Sequence, residues 1–86
     1  MPIRRSRRFN KAFLKLPPHV QHKVLKALEL LDADFRHPGL RTKRIKGSDD
    51  IFEARVDRHY RLTYERQGDV LILRNVGPHD ETIDNP

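Results

Sequence analysis

Apolar positions in the first forty residues recur with a helical period. Phe9, Ala12, Phe13 and Leu16 form one stripe, which leaves Arg7, Arg8, Lys11 and Lys15 for the other faces. Ser6 stands where a helix N-cap would, and Pro17-Pro18 ends this segment while being tolerated in the first turn of the next. A second stripe, Val20, Val24, Ala27, Leu28, Leu31 and Phe35, runs for about four turns before His37-Pro38-Gly39 stops it. Two antiparallel helices joined at a Pro-Pro turn form a helical hairpin, and its apolar stripe needs a surface to lie on.

Beyond residue 40 the period changes to two. Leu40 to Lys46 is a basic extended segment closed by Gly47-Ser48-Asp49-Asp50. In Ile51 to Val56, Phe52, Ala54 and Val56 oppose Glu53 and Arg55; in Tyr60 to Glu65, Tyr60, Leu62 and Tyr64 oppose Arg61, Thr63 and Glu65. Gln67-Gly68-Asp69 signals a hairpin turn, followed by the nearly continuous apolar strand Val70 to Val76. Ile3 to Arg5 is a candidate first strand, and the acidic tail from Gly77 to Pro86 carries no periodicity. The sum is one α+β domain over residues 1–86: an N-terminal strand and a helical hairpin packed on one face of an antiparallel sheet, in the order β-α-α-β-β-β.

Register follows from burial. With Asp57-Arg58-His59 as a three-residue loop, Val56 pairs with Tyr60, Ala54 with Leu62 and Arg55 with Arg61, and every apolar residue falls on one face. A two-residue loop would set Arg55 across from Leu62 and mix the faces. In the next hairpin, loops of two or four residues put Arg61 opposite Val76 or Arg74; either way Arg74 joins Arg55 and Arg61 on the face away from the helices. Like charges directly opposite destabilise a sheet, so three converging arginines suggest an anion between them. The alternative is pairing with Glu53, Thr63 and Glu65 on the same face.

Charge sharpens this picture. The net charge is +6, yet residues 1–48 hold thirteen Lys/Arg and three acids, while residues 49–86 hold five and nine. Such a basic half attracts polyanions, nucleic acid first among them, although small domains also carry charge simply to stay soluble. The absence of cysteine excludes disulfides, cysteine zinc sites and a thiol nucleophile, and it favours the cytoplasm. No apolar run has the length of a signal peptide or a membrane span.

Among the titratable residues His79 stands out. It follows the last strand through Gly77-Pro78, where a turn can bring an imidazole over the arginine face as general acid or base. His19, His22 and His37 read as surface or turn positions, and His59 lies in the proposed loop within reach of a phosphate. No histidine pair has zincin spacing, Asp49-Asp50 reads as a turn, and there is no phosphate loop or nucleophile elbow, so no cofactor or metal is expected.

The order of motifs resembles the RelE/ParE superfamily of type II toxin–antitoxin toxins. The resemblance runs through Phe9-Asn10-Lys11-Ala12-Phe13-Leu14-Lys15-Leu16-Pro17, the helix from Val20 to Leu31, His37-Pro38-Gly39-Leu40 and Ile45-Lys46-Gly47. It continues through Phe52-Glu53-Ala54-Arg55-Val56, Tyr60-Arg61-Leu62-Thr63-Tyr64 and Val76-Gly77-Pro78-His79-Asp80, covering nearly the whole chain. It implies a metal-independent endoribonuclease that cuts messenger RNA on the ribosome, with His79 as acid, Arg61 and Arg55 on the phosphate, and Glu53 as a candidate base or a partner of Arg55. Lys43, Arg44 and Lys46, with Arg41 and Arg74, are the expected RNA contacts, and an antitoxin that folds over the basic surface is the expected partner. Two departures stand out: Glu53 replaces a basic residue common in the family, and the aromatic that many RNase members carry past the histidine is missing, with Ile83 and Asn85 in its neighbourhood. A ParE-like toxin that blocks DNA gyrase without catalysis, and an inactive module of the same fold, are the competing implications.

Overall fold

A computed structural model describes residues 1–86. The elements run β1 (Ile3–Arg5), α1 (Arg7–Leu14), α2 (Pro18–Ala33), a 3₁₀ turn (Pro38–Leu40), β2 (Lys43–Arg44), β3 (Ile51–Arg55), β4 (Tyr60–Gln67), β5 (Val70–Pro78) and α3 (His79–Asp84). The Ser6 hydroxyl caps α1 by accepting from the Phe9 N–H at 3.0 Å, and Pro18 opens α2 where its missing N–H costs nothing. No helix is long and apolar enough to cross a membrane.

One five-stranded sheet has the order β1-β5-β4-β3-β2. Its pairings are antiparallel except that β1 lies parallel to β5, with Ile3 beside Leu71 and Arg5 beside Leu73. The helical stripes cover one sheet face. Phe9 of α1, Leu16, and Val20, Val24, Ala27, Leu28 and Leu31 of α2 form one buried cluster with Ala54, Leu62, Tyr64, Leu71, Leu73 and Val76. Burying each large aliphatic of that set contributes on the order of 1.5–3 kcal/mol.

Ala54 lies opposite Leu62 and Arg55 opposite Arg61, and the Val56 N–H donates to the Tyr60 carbonyl at 3.1 Å, which leaves the three residues Asp57, Arg58 and His59 as the β3–β4 loop. The β4–β5 turn has two, Gly68 and Asp69, with Gly68 in the left-handed region at φ 57°. Arg61, however, stands opposite Gly77 rather than Val76 or Arg74. The cause is a bulge: Tyr64 pairs with Leu73 but Thr63 pairs with Asn75, so Arg74 is an extra residue in β5. The bulge lets Leu73 and Val76 both reach the core despite their odd separation.

The acidic tail also departs from expectation, because six of its residues form α3. Gly77 shares the face of its partner Arg61, and a Cβ there would meet the Thr82 hydroxyl at 3.0 Å, so α3 lies on the face away from α2. Thr82 is buried by this contact. The chain then crosses β5 and β4, where the Pro86 oxygen accepts from Arg74 Nε (3.0 Å) and Thr63 Oγ1 (3.4 Å). Arg8 of α1 donates to the backbone oxygens of Asn85 and Pro86 from the side.

Candidate functional site

The face away from α2 carries Glu53 and Arg55 on β3, Arg61, Thr63 and Glu65 on β4, and Arg74 at the bulge of β5. Its arginines are held apart by different partners. Arg74 forms an ion pair with Glu65 at 2.8 Å and is also bound by the Pro86 oxygen, so it does not converge on Arg61. Arg61 reaches along its own loop, donating to the carbonyls of Asp57 (2.7 Å) and Tyr60 (3.0 Å), with the Glu53 carboxylate 3.9 Å from Nε. Arg55 lies directly across from Arg61 and makes no ion pair.

Beyond the ends of β4 and β5 an open cavity of about 600 Å³ has a wholly polar or proline wall: Arg58, His59, Arg61, Pro78, His79, Asp80 and Glu81. His79 opens α3, and its backbone N–H donates to the His59 carbonyl at 2.8 Å, which ties the two sides together. Its Nδ1 is 2.8 Å from the Asp80 carboxylate, leaving Nε2 without a partner in the chain. A carboxylate on one ring nitrogen orients an imidazole so that the other can exchange a proton. His79 and Arg61 therefore share one cavity, Glu53 stands at the flank of Arg61, and Arg55 is outside the cavity wall.

Asp57 holds the loop that supplies Arg58 and His59. Its Oδ1 accepts from the N–H groups of His59 (2.8 Å) and Tyr60 (2.9 Å), and its Oδ2 meets Lys23 of α2 at 3.0 Å. Desolvation pushes this carboxyl up, but the bond from the His59 N–H, the Lys23 hydrogen bond, the Tyr60 N–H and the Lys23 charge outweigh it and hold the group below the usual aspartate range. No pattern in the sequence joins Arg58 and His59 to His79. The three-residue loop was the available signal, since it fixes which residues lie beyond the end of the sheet.

The remaining expected RNA contacts divide between the two faces. Lys43 is the cross-strand partner of Glu53 and belongs to the open face, Arg44 is the partner of Phe52 and belongs to the other, and Lys46 sits in the turn beyond β2. Arg41 follows the 3₁₀ turn in a left-handed conformation, φ 45° and ψ 45°. No group of three or more His, Cys, Asp or Glu side chains is arranged to hold a metal ion.

This arrangement of an N-terminal strand, two helices and a mostly antiparallel five-stranded sheet is the RelE-type fold. The chain superposes on the RelB–RelE antitoxin–toxin complex of Methanococcus jannaschii with a TM-score of 0.78 at 22% identity, covering 96% of this chain and 98% of that one. The archaeal RelE–RelB complex of Pyrococcus horikoshii OT3 gives 0.74 at 18% identity (92% and 94% covered), and YafQ of E. coli strain BL21(DE3) gives 0.74 at 19% (92% and 93%). No protein-family model and no curated protein matches the sequence. At these identities the likeness establishes the fold.

Proposed function

We propose that this chain is the toxin of a type II toxin–antitoxin pair and that it inhibits translation by cutting messenger RNA held on the ribosome. Its fold neighbours include toxins crystallised with antitoxins, RelB and DinJ. The observation that carries the catalytic reading is the cavity that joins His79 to Arg61 with Arg58 and His59 on its wall. In this scheme the 2′-oxygen of a ribose attacks the adjacent phosphorus, Glu53 accepts its proton, and the bond to the 5′-oxygen breaks. Protonated His79 supplies the proton to that leaving oxygen, so a 2′,3′-cyclic phosphate and a 5′-hydroxyl result. Arg61, steadied by two backbone carbonyls, faces the charge that builds on the phosphoryl oxygens, with Arg55 beside it across the strand pair. Lys43, Lys46 and Arg74 supply backbone contacts around this face, and an antitoxin covers it in the inhibited complex.

The test is translation in vitro with mapped message ends, with and without ribosomes. The purified chain gives discrete cuts only with ribosomes present, and His79→Ala with Arg61→Ala lowers their yield a hundredfold or more, the scale of a lost general acid. Undiminished cutting by that double variant overturns the mechanism. Absence of cutting together with inhibition of gyrase supercoiling would replace it by the gyrase-blocking reading.

A further inference from the structure

On the helix-covered side of the sheet, at its β2 edge, lies a second concavity that the proposed reaction does not use. It has a volume of about 480 Å³, within the range of about 300–1,000 Å³ usual for small-molecule sites. Its wall holds Arg36, Arg41, Arg44 and Arg66 and no acidic residue, around Phe35, Phe52 and Tyr64. None of the four guanidinium groups forms an ion pair or a hydrogen bond in the chain. On the open face, by contrast, Arg61 and Arg74 both have carboxylate partners.

Instead of bonding to carboxylates, three of these arginines lie over rings. Arg36 and Arg66 stand 5.3 and 5.1 Å from the Phe35 centroid, and Arg44 stands 6.0 Å from that of Phe52, which itself stacks on Tyr64 at 5.5 Å. Flat cations and rings at such spacing make a surface that a planar base extends, while the outer N–H groups remain free for phosphate oxygens. Arg41 adds a second sign of a built site. Its backbone is the one non-glycine in the chain with positive φ, a conformation unfavourable for a side-chain-bearing residue, and its side chain lines the pocket.

We infer that this pocket binds one nucleotide of a single-stranded nucleic acid, with the base stacked among Phe35, Phe52 and the arginine planes and the phosphodiester gripped by Arg41, Arg44 and Arg66. An acidic peptide would satisfy the cations but would leave the ring and guanidinium planes unused, so the aromatic share of the wall favours the nucleotide. A duplex hides its base faces and cannot enter. The inference is independent of the proposed cleavage, because the pocket shares no residue with the cavity of His79.

The test is fluorescence anisotropy of the whole chain with a labelled decauridylate, its DNA counterpart, a duplex RNA of equal length and a decaglutamate peptide. Arg41→Ala/Arg66→Ala weakens single-strand binding about tenfold or more and flattens the log–log salt slope by about 1.4, as two lost phosphate contacts require. Arg4→Ala/Arg5→Ala, which removes the same charge from β1, weakens it by less than about threefold. Phe35→Leu keeps the apolar volume, leaves the salt slope unchanged and still loses about fivefold, the signature of stacking. Circular dichroism verifies the fold of each variant, and photocrosslinks from 4-thiouridine map to the peptides around Phe35 and Phe52. Equal losses in the two charge-matched double variants overturn the site, as do crosslinks confined to the open face. Duplex binding as tight as single-strand binding, with no effect of Phe35→Leu, overturns the nucleotide assignment. Decaglutamate bound more tightly than RNA, and released by Arg41→Ala/Arg66→Ala, does the same in favour of an acidic segment.

Discussion

Asp57 is the residue on which the geometry of the open cavity turns, and its removal gives the sharpest check on that geometry. The carboxylate accepts from two backbone N–H groups and from Lys23, and so fixes both the hairpin loop and its distance from α2. A hydrogen bond to a charged group contributes roughly 1.5–3 kcal/mol when its partner is left dry. Here the freed N–H groups belong to a surface loop and find water, so we expect Asp57→Ala to cost about 2 kcal/mol rather than the sum. The Lys23 pair is half exposed on the lysine side and contributes about 0.2–1 kcal/mol of that, to be read from a cycle with Lys23→Met. Asp57→Asn keeps one acceptor for the loop and falls between, at about 1 kcal/mol.

The pH dependence adds a second condition. Because the folded carboxyl sits below its ordinary pKa, its contribution is fully present above about pH 4 and is lost as pH falls through the folded value. Urea denaturation of wild type and Asp57→Ala at pH 7 and pH 3 reads both effects, with the gap between them closing at the lower pH. A gap under about 0.5 kcal/mol at pH 7 would refute the clamp, since an exposed and uncoupled carboxylate does no more. So would a gap that is the same at both pH values. Faster hydrogen exchange at the His59 and Tyr60 amides in Asp57→Ala ties the stability loss to the wall of the cavity.

Two further outcomes follow from packing. Gly77→Ala puts a methyl 3.0 Å from the buried Thr82 hydroxyl, so α3 shifts outward and stability falls by about 1–3 kcal/mol, with the segment after residue 78 becoming protease-sensitive; unchanged stability and proteolysis would mean that α3 is not seated there. For Tyr64, desolvation raises the phenol pKa against the opposing Thr42 hydrogen bond and Arg66 charge, so stability is complete below the ordinary tyrosine pKa of about 10 and is lost as pH rises through the folded value. Absorbance titration should show a late-ionising tyrosine that Tyr64→Phe removes, and an unchanged curve in that variant would contradict the burial.

Much of the fold was legible because burial punishes slips. The two helical stripes, the Ser6 cap and the three-residue β3–β4 loop each follow from keeping apolar residues on one side, and a one-residue error would have reversed a whole strand. A uniform register through β5 does not predict the bulge. Its signal was nevertheless in the sequence: Leu71 and Leu73 keep one parity and Val76 the other, so both can face the core only if an extra residue intervenes. The helix α3 had no such signal. Six residues without an apolar stripe do not hold a helix alone, and this one exists through its seat on Gly77, which is a tertiary fact.

The same alternation decides how the basic half of the chain can be used. Lys43 and Arg44 look like one cluster in the sequence, but neighbours on a strand point to opposite faces. A run of charge across β2 is therefore two half-patches, one beside Glu53 on the open face and one beside Phe52 over the aromatic pocket. His79 arrives beside Arg61 from the other end of the sheet, through the turn after β5, and no local pattern around Lys43 points to it. Composition sets the sign of the charge on this half of the chain, but only strand parity shows that the charge divides between two surfaces.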